Sequence, residues 1–303
     1  MAIQPRFFHF FHHLTWRTIK KTFARTMETR LLGLAAEIAF NTMLSLFPAI
    51  LALLTAIGLF AESLQNTFIQ LAIQLSRIVP QDAWILIRDF ATHEIANSKN
   101  SSLFSLSFII TLWTASGAIN TAMTALDQIQ KIHPKKMRPY WQAKLISLAL
   151  TIGTILLLIL ASFLVFISDL LLGFVVKNNS YLVFLFHLWQ FLCWPLALTT
   201  VTIAFAFVYR YGSSKWTANT PLIPGAVLAA IVWAMVSALF RLYVSNFGNY
   251  NKVYGAVGAV IVLMLWLWMS AFVLLVGHQL NVTVGEDMNN NSTIQESGVK
   301  NQI

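Results

Sequence analysis

The stretch Ala256-Val-Gly-Ala-Val-Ile-Val-Leu-Met-Leu-Trp266-Leu-Trp268-Met-Ser270-Ala-Phe-Val-Leu-Leu-Val-Gly277-His278-Gln279-Leu280 contains no Asp, Glu, Lys or Arg. A helix needs about 20 apolar residues to cross the roughly 30 Å hydrocarbon core of a bilayer, so this stretch alone predicts a transmembrane helix. Working outward, five more long apolar stretches precede it, three of them with a single charged residue: Gly33–Phe60, Leu103–Leu126, Leu145–Val176, Tyr181–Val208 and Leu222–Ser245. The expected fold is therefore all-α, a polytopic integral membrane bundle of six transmembrane helices. The third stretch is longer than a bilayer requires, which predicts tilt or emergence from the membrane. Pro48 and Pro195 fall inside the first and fourth stretches, where neighbouring helices would satisfy any freed carbonyl.

Composition supports the same class. Of 303 residues, 57% are apolar and 10% charged, against about 25% charged in an ordinary soluble domain. The 23 Phe and 10 Trp suit a lipid-facing exterior. The net charge is +9. In a soluble protein that would suggest nucleic acid. Here the basic residues flank apolar spans, so the expected partners are membrane lipids, with anionic headgroups at the basic cytoplasmic segments, and no nucleic acid. Cys193 is the single cysteine, which excludes an internal disulfide and a Cys-rich metal site. Residues 1–30 lack a continuous apolar core and read as no cleavable signal peptide.

Lys and Arg set the orientation. Arg6, Arg17, Lys20, Lys21, Arg25, Arg30, Lys131, Lys135, Lys136, Arg138, Lys144, Arg210, Lys215 and Lys300 lie on one side. Arg77, Arg88, Lys99, Lys177, Arg241 and Lys252 lie on the other. Both termini are expected to be cytoplasmic, in a bacterial inner membrane. Residues 1–32 form a basic amphipathic segment in this reading, with Phe8, Phe11, Ile19, Phe23, Met27 and Leu31 on one face, as in a helix lying in the membrane interface. Residues 33–282 form the membrane domain. Its outer loop, 61–102, carries two short amphipathic runs separated by Pro80. Residues 283–303 are polar and expected to be a disordered cytoplasmic tail.

Several motifs point further. Leu34-Ala-Ala-Glu37-Ile-Ala-Phe-Asn41-Thr-Met-Leu-Ser45-Leu-Phe-Pro48 opens the first span. Tyr243-Val-Ser-Asn246-Phe-Gly248-Asn249-Tyr250-Asn251-Lys-Val-Tyr254-Gly255-Ala-Val-Gly258 joins the fifth to the sixth. Arg138-Pro-Tyr-Trp141-Gln-Ala-Lys144 leads into the third. Together with the closing Gly277-His278-Gln279-Leu280-Asn281, these resemble the YihY/virulence factor BrkB family over about residues 20–282. The resemblance implies a six-span bacterial inner-membrane protein. Members have been described as transporters, as envelope-integrity or serum-resistance factors and, by a mistaken label, as a ribonuclease; lipid movement is proposed for some. Members usually carry Gly-Ala-Glu-Leu-Asn where this chain has His278 and Gln279, so the family carboxylate is missing here.

Ionisable and amide residues inside spans are costly and mark candidate sites. At 1.5 Å per residue, Glu37, Asn41, Asn120, Asp127 and Gln279 fall toward the cytoplasmic side, as one substrate-binding or gating group. The same arithmetic places Asp169, His187, Gln190, Arg241, Asn249 and Tyr250 in an outer polar cluster, with an Asp169–Arg241 ion pair as a specific expectation. Each has a plainer reading: interhelical hydrogen bonding for Asn41 and snorkelling for the boundary charges. Gly225 and Ala229 supply small residues for close helix approach, and Trp266 and Trp268 read as bundle or lipid contacts. His9, His12 and His13 have helical metal-ligand spacing, but a basic interfacial helix without carboxylates accounts for them better; no metal or other cofactor is expected. No G-x-x-x-x-G-K-[ST] motif and no G-x-S-x-G elbow occurs, so neither ATP hydrolysis nor an enzymatic role is expected. Two polar ends around an apolar middle favour a transporter of a lipid-like or amphiphilic substrate. The alternative is a non-transporting envelope-integrity or scaffold protein. Gly/Ala-rich apolar faces are compatible with a homo-oligomer.

Overall fold

The structure is a computed structural model that describes residues 10, 14–50, 52, 101–175, 180–215, 221–246 and 250–300; within them, the side chains of 101–104, 158–159, 161–190, 193–194, 245–246, 250–256 and 290–300 are outside the description. The described chain is helical: α1 Trp16–Glu28, α2 Leu31–Ile50, α3 Ser101–Ile129, α4 Tyr140–Val175, α5 Ser180–Gly212, α6 Ile223–Asn246 and α7 Tyr250–Lys300. A 3₁₀ turn, Pro134–Lys136, links α3 to α4.

Five of these helices contain a segment long and apolar enough to cross a membrane: Leu31–Ile50, Ser105–Ile129, Tyr140–Leu157, Ile223–Val244 and Val257–Asn289. Between 17% and 28% of the apolar window of each segment is buried inside the bundle; many of the remaining large apolar side chains are exposed, as on a surface that faces lipid. The expected fourth span falls on α5, 33 residues long and continuous through Pro195, but α5 is not among the five. The expected outer loop lies outside the described residues.

Helix ends follow local chemistry. Thr15 caps α1, its hydroxyl accepting from Thr18 N and satisfying one of the free N–H groups of the first turn. Lys131 ends α3 in the left-handed region at φ 53°. Lys131 N donates to Gln128 O and Ile132 N to Asp127 O, the paired bonds of a Schellman stop.

Neighbours pack in chain order, α3 on α4, α4 on α5, α5 on α6 and α6 on α7. The circuit closes where α2 meets α3 and α7: Leu31, Ala35, Ala125, Ile129, Ala271, Leu275 and Val282 form one core. A second core joins Leu126 of α3 to Val208 and Tyr209 of α5 and Ala226 of α6. Both lie at one end of the bundle, which also holds the basic 3₁₀ turn and α1; it is called the basic end below. Trp268 Nε1 donates to Leu32 O at 3.1 Å, and Trp233 Nε1 to Ser270 Oγ at 3.0 Å, so both indoles tie helices together.

Two expectations are corrected. The polar tail, residues 283–303, was expected to be disordered; α7 instead continues as one helix through Lys300. Val282, Thr283 and Val284 are buried, Val282 against α2 and α3 in the first core, and α1 docks on the extension beyond them. Thr18, Thr22 and Thr26 form the inner face of α1. The hydroxyls of Thr22 and Thr26 donate back to Thr18 O and Thr22 O, which lets a polar face pack without orphaned donors. Lys21 Nζ meets Asp287 Oδ1 at 2.5 Å and Arg25 Nη2 meets Glu286 Oε2 at 2.6 Å. Trp16, Ile19, Phe23 and Met27 remain exposed on a third face, the arrangement expected of an interfacial helix. Lys144 is the second correction. It was counted among the loop charges, but its side chain is buried between α3 and α4.

Candidate functional site: a buried polar belt at the basic end

The belt begins with Asp127, in the last turn of α3 and 5% exposed. Its carboxylate accepts from Ser214 N at 2.6 Å, Ser214 Oγ at 2.5 Å and Ser213 Oγ at 3.3 Å. Arg138 completes this knot from the α3–α4 link. Its guanidinium donates to the carbonyls of Tyr211, Gly212 and Ser213, a cationic cap on the negative end of α5. Burial lowers the Arg138 pKa from its ordinary value, and the Asp127 charge opposes that shift. The knot ties three chain segments and leaves Asp127 little capacity for anything else.

On α7, His278, Gln279, Asn281 and Thr283 are all buried. His278 packs against Tyr209 with ring centroids 5.1 Å apart, and Tyr209 donates its hydroxyl to Leu274 O at 2.7 Å. Gln130 Nε2 lies 3.2 Å from His278 Nε2. With the amide donating, the ring proton sits on Nδ1. Gln279 Nε2 donates to Thr283 Oγ1, and Asn281 Nδ2 donates to Leu222 O. Three atoms of this turn, His278 Nδ1, Gln279 Oε1 and Asn281 Oδ1, are buried without a hydrogen-bond partner among the described residues.

Higher in the bundle, Lys144 Nζ donates to Trp113 O at 3.1 Å and Ser116 Oγ at 2.6 Å, and it lies 4.0 Å from the Trp113 ring centroid. That ring face offers a further cation contact. No carboxylate pairs with Lys144 among the described residues.

The five residues expected to form one inner group take separate places. Glu37 is exposed on α2. Asn41 is half-buried, its Nδ2 donating to Thr121 Oγ1 at 3.1 Å. Asn120 is half-buried on α3. Asp127 serves the Ser213–Ser214 turn, and Gln279 bonds within its own helix. No described hydrogen bond joins any two of the five. Of the outer group, Arg241 is exposed. The side chains of Asp169, His187, Gln190 and Tyr250, and residue Asn249 altogether, lie outside the description, as does the expected Asp169–Arg241 pair.

Sequence reasoning missed Tyr209, Lys144 and the capping role of Arg138. A signal for Lys144 existed: it stands four residues inside the helix that opens at Tyr140, with apolar residues following. For Tyr209 no signal separates it from the exposed Tyr211 two residues later. Among the described residues no three His, Cys, Asp or Glu side chains could hold a metal ion. His9, His12 and His13 lie outside the description.

Fold and belt together define a multi-pass helical integral membrane protein. The sequence profile of the virulence factor BrkB family matches residues 22–301, and the chain belongs to that family. It is 30% identical to YfkH of Bacillus subtilis (strain 168), a protein named ribonuclease-like, over 87% of this chain and 93% of that one. It is 24% identical to a UPF0761 membrane protein of Alteromonas mediterranea over 88% of this chain and 87% of that one. A UPF0761 membrane protein of Photobacterium profundum is 25% identical over 86% and 79%. No solved structure matches the chain.

Proposed function

We propose that this protein carries a lipid-like or otherwise amphiphilic substrate across or within a bacterial inner membrane, with both termini cytoplasmic and no ATP hydrolysis of its own. The observation behind this reading is the stretch of α7 that buries three polar atoms with no hydrogen-bond partner among the described residues, His278 Nδ1, Gln279 Oε1 and Asn281 Oδ1. A buried polar group without a partner costs about 1–3 kcal/mol, and such costs concentrate where a site serves a purpose beyond stability. An amphiphile has the matching profile, a polar head for the belt and an apolar body for the surface above it. The orientation rests on the Lys and Arg distribution and the positive-inside rule. No enzymatic step is assigned to any of these groups.

One observation favours the alternative, a non-transporting envelope or scaffold protein: the strongest polar contacts of the belt, those of Asp127 and Arg138, are consumed in holding helices together. The two readings separate in liposomes containing a labelled phospholipid. A transporter moves the label faster than protein-free vesicles, and Gln279→Met slows it, because the variant removes the buried Oε1 acceptor that would meet a polar head. Equal rates in all three preparations would leave only the scaffold.

A further inference from the structure

A groove of about 620 Å³ runs along the outside of the bundle between α5 and α6. Leu198, Ile203 and Ala206 of α5 and Ile223 and Val227 of α6 form its walls, and Arg210 stands at its basic end. From Leu198 to Arg210 the groove spans about 18 Å at 1.5 Å per residue, close to one leaflet of a hydrocarbon core about 30 Å thick. Two polar groups along it, both threonine hydroxyls, are spent. Thr199 and Thr202 donate their hydroxyls to Pro195 O and Leu198 O, so the groove presents hydrocarbon until it reaches Arg210. Arg210 is exposed, and so is Lys215.

We infer that this groove is a lipid site: one acyl chain of an anionic phospholipid lies along Leu198, Ile203 and Val227, with its phosphate at Arg210. The chain contributes little selectivity, because the competing environment, bilayer hydrocarbon, is as apolar as the groove. Selectivity comes from the head. A guanidinium offers a planar fork of donors that matches phosphate oxygens, and a basic side chain at this depth sits where headgroups lie. The site is independent of the transport reading; a protein that moves nothing would hold the same lipid.

The test is lipid retention by the full-length protein in detergent, followed by native mass spectrometry after exchange into equimolar phosphatidylglycerol and phosphatidylcholine. The wild type is expected to retain phosphatidylglycerol about fivefold over phosphatidylcholine, the factor that corresponds to about 1 kcal/mol per basic residue at an anionic surface. Arg210→Gln should retain both lipids equally. Ala206→Trp, which fills the groove, should lose the tightly held lipid altogether. Inorganic phosphate at millimolar concentration should not displace the lipid, since it lacks the chain. Equal retention of the two lipids by the wild type would overturn the inference and reduce the groove to ordinary annular contact. So would a preference that survives Arg210→Gln. The wild-type comparison stands whether or not either variant folds.

Discussion

Asn281 Oδ1 lies in the space that a β-carbon on Gly225 would occupy. The α6–α7 seam is built on this fit. Asn281 Nδ2 reaches across to Leu222 O at 3.2 Å, and one turn earlier on α7 a β-carbon on Gly277 would come within 2.5 Å of Ala229 Cβ and 2.6 Å of the Tyr209 hydroxyl. Small residues allow backbones to approach where lipid provides no hydrophobic drive for association.

Gly225→Ala should therefore destabilise the bundle by about 1–3 kcal/mol, the usual range for overpacking. Asn281→Ala removes the obstructing amide and should recover most of that loss in the double variant, beyond the sum of the single effects. Thermal unfolding in detergent, followed by tryptophan fluorescence, provides the four values of the cycle. Additive single effects would show that the two residues do not meet.

Asp127→Asn tests whether the buried carboxylate serves structure or substrate. The variant replaces one acceptor oxygen of the Ser213–Ser214 knot by a donor. The expected loss is about 1–3 kcal/mol of stability, with the labelled-lipid transport of the surviving folded fraction unchanged. Unchanged stability with lost transport would return Asp127 to the substrate path.

Much of this architecture was legible in the residues, for a physical reason. Hydrocarbon imposes long apolar runs with few charges; the observed α3 and α7 cover the stretches read for them, and α4 and α6 match theirs to within one residue at the ends that fall short. The Gly225–Ala229 approach was readable because small residues serve few other purposes in a span. What could not be read was direction around each helix. Depth arithmetic puts Glu37 and Gln279 at similar levels, yet Glu37 faces outward and Gln279 inward. Depth is a property of one helix; a site requires the rotation of several, and that is set by packing. The α7 extension was misread because Asn-rich polarity looks the same in a free tail as in a helix, while the α1 residues that meet Glu286 and Asp287 stand some 260 positions away in sequence.

The α1 clasp predicts a salt dependence. Lys21–Asp287 and Arg25–Glu286 are partly exposed, and such pairs contribute about 0.2–1 kcal/mol each. Arg25→Glu should expose α1 to proteolysis at low salt, and the reciprocal change Glu286→Arg should restore protection. Molar salt should narrow the difference between wild type and Arg25→Glu, because the Debye length falls to about 3 Å. Protection that ignores both the reversal and the salt would assign the docking to the Thr18–Thr22–Thr26 face alone.

Lys144 separates stability from function most sharply. Its stem and charge are buried, and its donors end on Trp113 O, Ser116 Oγ and the Trp113 ring rather than on a carboxylate. Lys144→Met keeps the stem and drops the charge. Removing a buried charge that has no opposite partner is often neutral or stabilising, and Ser116 Oγ keeps its own bond to Trp113 O at 2.7 Å. The melting temperature should therefore hold or rise. If an anionic head meets this cation during transport, losing a charge-assisted hydrogen bond worth about 1.5–3 kcal/mol should slow labelled-lipid movement by about ten- to a hundredfold. A variant that melts no lower and transports at the wild-type rate would confine Lys144 to packing α4 against α3.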